Sequence, residues 1–343
     1  MSSFTTDQGI VHYEVYGRGR PVILLHGWLG SWGLWQETMA YLGRYYRTYA
    51  MDFWGFGESG KKRDTYAVQD FVTLVDQFME QLGIGQAPLV GHSMGGTVSL
   101  SVAIQYPKRV NKVVVVGSPI VGSSLSFLLK LFGQRLVAAV IHNNLWMLKV
   151  GFKILSPLYS RDPRWSDMMN RDLSRTTLES FLMSIKTLRR TDLRPDLHHI
   201  KIPAMGMYGR KDIVVHPKQW QPMLEGIPHA RIERFKDAGH FIMLDDPPKF
   251  METLRDFLDS PIPVIKEPVE AAPPPTENDN QPAAPRTDVF EYSSSNTGPT
   301  GELEAQTPAV DNNHDHTGQD TAADPSDLAG IPDAQALNSS DTP

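Results

Sequence analysis

The pentapeptide Gly-His-Ser-Met-Gly at residues 91–95 constrains the fold of this 343-residue chain more than any other segment. It follows a short apolar run at residues 87–90 and precedes a stretch of apolar and small residues that ends before Pro107. This pattern predicts a strand, a sharp turn and a helix, with the serine hydroxyl projecting from the turn away from the sheet. Glycine on either side leaves room for backbones that would otherwise collide. Ser93 is therefore the candidate nucleophile.

A serine hydroxyl is a weak nucleophile at neutral pH, so it needs a general base that a carboxylate orients. No Asp or Glu occurs between Ser93 and Asp162, so the carboxylate must come later in the chain. An apolar run that ends at Gly209 predicts a strand, and Asp212 lies in the loop beyond it. A second, alternating run is followed by a turn that contains His240, the candidate general base. The alternatives are an ordinary turn or helix-cap aspartate and an exposed loop histidine.

The order Ser93, Asp212, His240 is the order of the catalytic residues in the α/β-hydrolase fold. Three further segments resemble that family: the buried strand and His-Gly-Trp at residues 21–28, the Asp-x-x-Gly-x-Gly-x-Ser loop at 52–59, and Asp-Pro-Pro at 246–248 before an amphipathic stretch. The chain is therefore identified as a member of the α/β-hydrolase superfamily, in its serine hydrolase branch with a helical cap. The resemblance implies an α/β fold with a mostly parallel, doubly wound sheet.

The leading hypothesis is a serine hydrolase of carboxylic esters that carry an apolar group, and the resemblance implies its mechanism. Ser93 attacks the acyl carbonyl, His240 takes its proton, and Asp212 stabilises the imidazolium. The backbone N–H groups of Trp28 and Met94 form the oxyanion hole. Serine at the nucleophile position argues against haloalkane dehalogenases and epoxide hydrolases, which use a carboxylate. Thioester, lactone and C–C bond hydrolysis remain open, as does a non-catalytic binder of small apolar ligands.

Three other residues of these motifs receive supporting roles. We expect His26 to pack beneath the oxyanion loop, His92 to line the turn at the nucleophile, and Asp52 to brace its glycine loop. We expect an apolar substrate because the insert is rich in apolar residues and because four tryptophans are expected near the mouth of the site: Trp28, Trp32, Trp35 and Trp54.

Composition divides the chain into three parts. Residues 1–118 and 203–260 are expected to form the catalytic domain, and residues 119–202 an inserted helical cap. Within the insert, apolar residues recur at helical spacing from Leu125 to Ile141 and again before Pro157. Residues 261–343 hold 15 Asp or Glu and two basic residues, are rich in Pro, and have hardly any aromatic side chains. That composition predicts a disordered acidic tail.

Several partner classes are disfavoured by the sequence. There is no cysteine, no cluster of metal ligands, no dinucleotide fingerprint and no nucleic-acid module, so we expect no cofactor, metal or nucleic acid. The basic insert is compatible with peripheral contact to an anionic membrane, but packing of its apolar face on the catalytic domain is the favoured interpretation. With no secretory pattern at the N-terminus, the prediction for location is cytoplasmic.

Overall fold

The structure is a computed structural model that describes residues 2–6, 9–61, 65–126 and 145–262. The predicted tail beyond residue 262 and most of the helix predicted from Leu125 to Ile141 lie outside the described residues. Leu125 itself is not helical, because it forms an isolated antiparallel bridge with Val215.

The described residues contain one eight-stranded sheet with the strand order β1-β2-β4-β3-β5-β6-β7-β8. The strands are β1 (Ser2–Thr6), β2 (Gly9–Tyr16), β3 (Pro21–Leu25), β4 (Arg47–Met51), β5 (Ala87–His92), β6 (Val110–Val116), β7 (Ala204–Gly209) and β8 (Arg231–Phe235). The pairings of β1 with β2 and of β2 with β4 are antiparallel, and all the others are parallel. The predicted mostly parallel sheet is thus confirmed, and β8 lies at its edge as its alternating sequence indicates.

The helices follow the strands along the chain. They are α1 (Gln36–Leu42), α2 (Val68–Gln81), α3 (Met94–Gln105), α4 (Leu145–Tyr159), α5 (Trp165–Ser174), α6 (Leu178–Arg190), α7 (Trp220–Gly226), α8 (Ile242–Asp245) and α9 (Pro247–Asp259). None of the helices in the described ranges combines the length and the apolar composition that crossing a membrane requires.

The central strands read as continuous apolar runs because both of their faces are buried. Successive side chains of a strand point to opposite faces of the sheet. Ile23 and Leu25 of β3 accordingly pack in one cluster with side chains of α2 and α3. Val22 and Leu24 pack in a second cluster with side chains of α1 and α9. Helices therefore cover both faces of the sheet.

Helices α4, α5 and α6 lie between β6 and β7 in the chain, where the sequence predicts a cap. The cap boundaries at residues 119–202 stay a prediction. The sequence indicates that the helix here ends before Pro157, but α4 continues to Tyr159. Proline lacks a backbone N–H, so it removes one hydrogen bond of the helix. The N–H of Ser160 donates to the Ser156 carbonyl over 2.9 Å, so the helical hydrogen bonding resumes directly after the proline.

One buried lysine fastens the last helix to the sheet. Lys112 of β6 is almost fully buried, and its Nζ donates to the carbonyl oxygens of Phe257 at 2.9 Å and Leu258 at 2.7 Å. These carbonyls belong to the last turn of α9, which has no further helical donors. A charge at this place satisfies the end of the helix and fixes it against the sheet.

We expect Lys112→Met to lower the free energy of unfolding by about 1.5–3 kcal/mol, the range typical of hydrogen bonds to a charged group. Methionine keeps the apolar stem but removes the donor to the Leu258 carbonyl and one of the donors to the Phe257 carbonyl. Urea denaturation of the full chain measures the difference. Lys108→Met is the matched control, since Lys108 is exposed. Equal midpoints for the two variants would contradict the anchoring role of Lys112.

Candidate active site

Ser93 occupies the turn between β5 and α3, in a backbone conformation that is unusual for any residue except glycine. Its φ is 50° and its ψ is −116°. The backbone is held there by hydrogen bonds on both sides: Ser93 N–H donates to the Val116 carbonyl at 2.8 Å, and Gly96 N–H donates to the Ser93 carbonyl at 3.0 Å. Strain of this kind persists only where the surrounding structure enforces it, and it is concentrated at functional sites.

The two glycines of the pentapeptide are required by close backbone contacts. A Cβ at position 91 would overlap the carbonyl of Gly95, and a Cβ at position 95 would overlap the carbonyl of Leu25 in β3. Neither obstacle is a flexible side chain, so alanine cannot be accommodated without moving the backbone. The pattern Gly-x-Ser-x-Gly thus follows from the packing of α3 against the sheet.

Asp212 and His240 come together in the loops that follow β7 and β8. The His240 Nδ1–H donates to Asp212 Oδ2 over 2.8 Å, and both side chains are buried. The other carboxylate oxygen accepts hydrogen bonds from the N–H groups of Val214 at 2.8 Å and Val215 at 2.9 Å. Three donors therefore hold the carboxylate in one orientation, and the carboxylate in turn fixes the imidazole.

Ser93 and His240 line the same cavity. No hydrogen bond joins the Ser93 hydroxyl to the His240 ring in the described part of the chain, and His240 Nε2 has no partner among those residues. The structure therefore brings all three predicted side chains to one place and bonds two of them directly.

Trp28 and Met94, the two positions predicted for the oxyanion hole, lie on either side of Ser93. A Cβ at Gly27 would be 3.1 Å from the Ser93 Cβ, so the loop that precedes Trp28 is packed against the turn at Ser93. Met94 follows Ser93 as the first residue of α3. Within the described ranges, neither backbone N–H donates a hydrogen bond. The oxyanion hole therefore stays a prediction that these free donors are consistent with.

His26 and His92 both make hydrogen bonds to the backbone around the site. The fully buried His26 accepts a hydrogen bond from the Phe53 N–H through Nε2, at 2.9 Å, and donates from Nδ1 to the Gly27 carbonyl, at 2.7 Å. Burial lowers the pKa of His26 to about 4. His92 Nε2 donates to the His240 carbonyl at 3.1 Å, and burial holds the pKa of His92 well below its usual value. The two rings position the backbone around the site.

Asp52 braces the glycine loop, as the sequence suggests. Its carboxylate accepts hydrogen bonds from the N–H groups of Trp32 at 2.6 Å and Glu58 at 2.9 Å. Burial raises the pKa of Asp52 to about 7 despite these donors. Asp52 is not among the residues that line the cavity.

The cavity wall is mostly apolar and is built largely by the insert. The lining side chains from α4, α5 and α6 are Phe152, Tyr159, Trp165, Met169, Phe181, Ile185 and Leu188. The polar lining residues are His92, Ser93, Ser126 and His240. In the described ranges no cluster of three or more His, Asp or Glu side chains could hold a metal ion.

The expectation that four tryptophans lie near the mouth is correct for one of them. Trp28 lines the cavity, and its Nε1–H donates to the Phe181 carbonyl of α6 at 3.0 Å. Trp35 and Trp54 are instead fully buried, Trp54 in the first core cluster and Trp35 in the second. Trp32 packs at the margin of one of these clusters. The sequence interpretation missed Trp165, which lines the cavity from the start of α5.

Comparison with known proteins places the chain in a family. A family model described as the alpha/beta hydrolase fold matches residues 20–247. The chain belongs to the α/β-hydrolase family.

Similar proteins include enzymes of several specificities. The pimeloyl-(acyl-carrier protein) methyl ester esterase of Vibrio campbellii is 25% identical over 257 residues, which cover 72% of this chain and 98% of the Vibrio protein. The 2-hydroxy-6-oxo-6-phenylhexa-2,4-dienoate hydrolase of Comamonas testosteroni is 28% identical over 269 residues, covering 73% of this chain and 91% of that protein. Among solved structures, an esterase from Exiguobacterium antarcticum matches with a TM-score of 0.65 at 24% identity. The match covers 75% of this chain and 98% of the esterase chain.

In this α/β-hydrolase, Asp245 links the insert to the loop that carries His240. Its Oδ2 accepts a hydrogen bond from the Gly239 N–H at 2.7 Å. Its Oδ1 accepts from the Ser160 hydroxyl and from the Arg161 N–H, each at 2.8 Å, directly after α4. One carboxylate thus holds the residue before His240 and the end of a helix that lines the cavity. Sequence alone does not reveal this, because Ser160 and Arg161 lie in a distant segment of the chain.

We expect Asp245→Asn to lower kcat by roughly tenfold or more with little change in KM, because small displacements of catalytic groups are costly. An amide has a single acceptor oxygen, so it cannot serve both the Gly239 side and the α4 side. Steady-state kinetics on a soluble ester measures the effect.

Asp246→Asn is the matched control for this substitution. It makes the same chemical change one residue further on, at a carboxylate that accepts no hydrogen bond within the described residues. If both variants keep the wild-type kcat, Asp245 does not position the His240 loop.

Proposed function

We propose that this α/β-hydrolase is a serine hydrolase of neutral carboxylic esters that carry an apolar group. The observation that supports this most directly is the 2.8 Å hydrogen bond between His240 and Asp212, in a cavity that also exposes the strained Ser93. A nucleophile, a base and an orienting carboxylate in this relation are the elements of nucleophilic acyl transfer.

In the proposed mechanism, the Ser93 Oγ attacks the ester carbonyl while His240 Nε2 takes its proton. The His240 Nδ1–H donates to Asp212 throughout, which keeps Nε2 unprotonated before the attack and stabilises the imidazolium that forms. The imidazolium then gives its proton to the departing alcohol, leaving an acyl group on Ser93. A water molecule, deprotonated by His240, releases the acid and restores the serine.

The oxyanion that forms during each attack would be held by the backbone N–H groups of Trp28 and Met94. Preorganised donors of this kind contribute about 2.7–4 kcal/mol each to transition-state stabilisation. Because the donors are backbone groups, the side chains at these positions are free for other roles. The Trp28 side chain, for example, binds the insert through the Phe181 carbonyl.

The residues that line the cavity favour a neutral substrate over an anionic one. The Comamonas relative is named for a dienoate, which carries a carboxylate. Among the described lining residues there is no Lys or Arg to pair with such a group. An unpaired charge in an apolar cavity carries a large desolvation penalty. The Vibrio relative, by its name, acts on a methyl ester. These observations favour ester hydrolysis over cleavage of a C–C bond in an anionic substrate, while thioesters and lactones would use the same machinery.

We expect Ser93→Ala to reduce hydrolysis of p-nitrophenyl esters by several orders of magnitude, because loss of the nucleophile leaves only binding and the oxyanion donors. A fluorophosphonate probe should label the wild-type chain and fail to label this variant. Ser126→Ala is the matched control, since Ser126 is another serine of the cavity wall. Turnover that survives in Ser93→Ala would reject the proposed nucleophile.

A second test concerns substrate charge. For the p-nitrophenyl ester of hexanoic acid, kcat/KM should exceed that for the p-nitrophenyl monoester of adipic acid by roughly 100-fold, because the latter carries an ionised terminal carboxylate into the cavity. The two acyl chains have the same length, so the comparison isolates the charge. A preference for the adipate monoester would show that a cation reaches the cavity and would favour an anionic substrate. No turnover of either ester, with tight retention of an apolar ligand, would favour the non-catalytic binder.

A further inference from the structure

Helix α4 has apolar side chains on two opposite sides. Phe152 and Tyr159 line the active-site cavity. On the other side lie Trp146, Val150, Ile154 and Leu158, which we call the outer ridge, with exposed fractions of 65%, 47%, 70% and 60%. These four residues are spaced four apart, so they form one row along the helix.

An exposed row of this kind is not ordinary surface. Isolated apolar side chains are common on protein surfaces, but contiguous ones mark interaction sites. Leu155, which is 40% exposed, lies on the same helix. Five of the 11 large hydrophobic side chains that are exposed in the described ranges therefore belong to this helix of 15 residues. Packing around the cavity accounts for the Phe152 and Tyr159 side of α4, whereas the four ridge side chains are exposed among the described residues.

The charged residues of α4 itself are all positive. Lys149 and Lys153 each precede a ridge residue by one position, which places them along one edge of the row. Helix α4 contains no Asp or Glu, and neither does the rest of the chain from residue 94 to residue 161. Apolar side chains with lysines along one edge and tryptophan at one end are characteristic of helices that lie in the interface of a membrane.

We propose that the outer ridge binds the surface of an anionic lipid bilayer, with α4 lying in the plane of the membrane. At 1.5 Å per residue, α4 is roughly 22 Å long, which is shorter than the hydrocarbon core it would have to cross. Lysines attract anionic head groups, whereas they would repel the same lysines of a second copy paired ridge to ridge. The bilayer is thus the occupant that the charges favour.

Membrane binding through the outer ridge would bring the active-site cavity close to the bilayer. The same helix contacts the bilayer with one side and forms the wall of the active-site cavity with the other. An apolar ester dissolved in the bilayer would therefore be concentrated beside the cavity. The binding itself requires neither Ser93 nor turnover, so it stands or falls separately from the proposed ester hydrolysis.

Vesicle flotation with the full chain tests the proposal. We expect the protein to float with vesicles of phosphatidylcholine and phosphatidylglycerol, and at least tenfold less with phosphatidylcholine alone. The double variant Ile154→Glu, Leu158→Glu should lose flotation by at least tenfold, because it places carboxylates in the row. Lys149→Glu combined with Lys153→Glu should abolish the preference for the anionic vesicles.

Ile10→Glu is the matched control, because Ile10 is an isoleucine of β2 that is 55% exposed and lies far from the insert in the chain. It should float like the wild type, and all variants should keep the wild-type far-ultraviolet circular dichroism spectrum and melting temperature, which verifies that they are folded. The proposal is overturned if the wild type floats with neither vesicle or if the ridge variant floats unchanged. A concentration-dependent dimer that Ile154→Glu dissociates, without vesicle binding, would identify a second copy as the occupant instead.

Discussion

The hydrogen bond between His240 and Asp212 is the contact on which the proposed chemistry of this hydrolase depends. It joins loops that follow two neighbouring parallel strands, β7 and β8, so the register of the sheet determines whether the two groups can meet. Gly117, which follows β6, lies close to both side chains. Ser93 follows β5, which is the neighbour of β6 in the sheet. Four consecutive strands whose carboxyl ends share one edge thus assemble the site. A slip in any of these pairings would separate groups that are far apart in the sequence.

Much of this arrangement could be predicted from the sequence, because its causes are local. Central strands that are buried on both faces read as apolar runs. The turn at Ser93 requires glycines at fixed positions, since the carbonyl oxygens of neighbouring backbone occupy the space of a side chain. Asp212 and His240 were identifiable because each follows a strand-like run and their order matches a known fold. The structure brings these two side chains into contact, and their chemical roles stay proposals.

Other features depend on packing between distant segments, which local sequence does not encode. Asp245 resembles any acidic residue before a proline-rich helix start, and its importance comes from donors on both sides of it. Likewise, composition cannot tell which tryptophan faces the cavity: Trp165 does, while Trp35 is sealed in the core. The prediction that the helix ends before Pro157 is wrong because contacts with distant segments stabilise the helix beyond the proline. The insert helix α4, held at both its cavity side and its C-terminal end, continues through a residue that disfavours it.

At residue 93, the stability of the fold and the presence of a hydroxyl group favour different amino acids. A non-glycine residue in such a conformation costs on the order of 1–3 kcal/mol. Glycine would relieve most of that cost and would delete the hydroxyl in the same step. If Ser93 is the nucleophile as proposed, related chains selected only for stability would tend to acquire glycine at this position, whereas chains selected for turnover would keep serine. The residue found at position 93 in related chains would then distinguish selection for the proposed catalysis from selection for the fold alone.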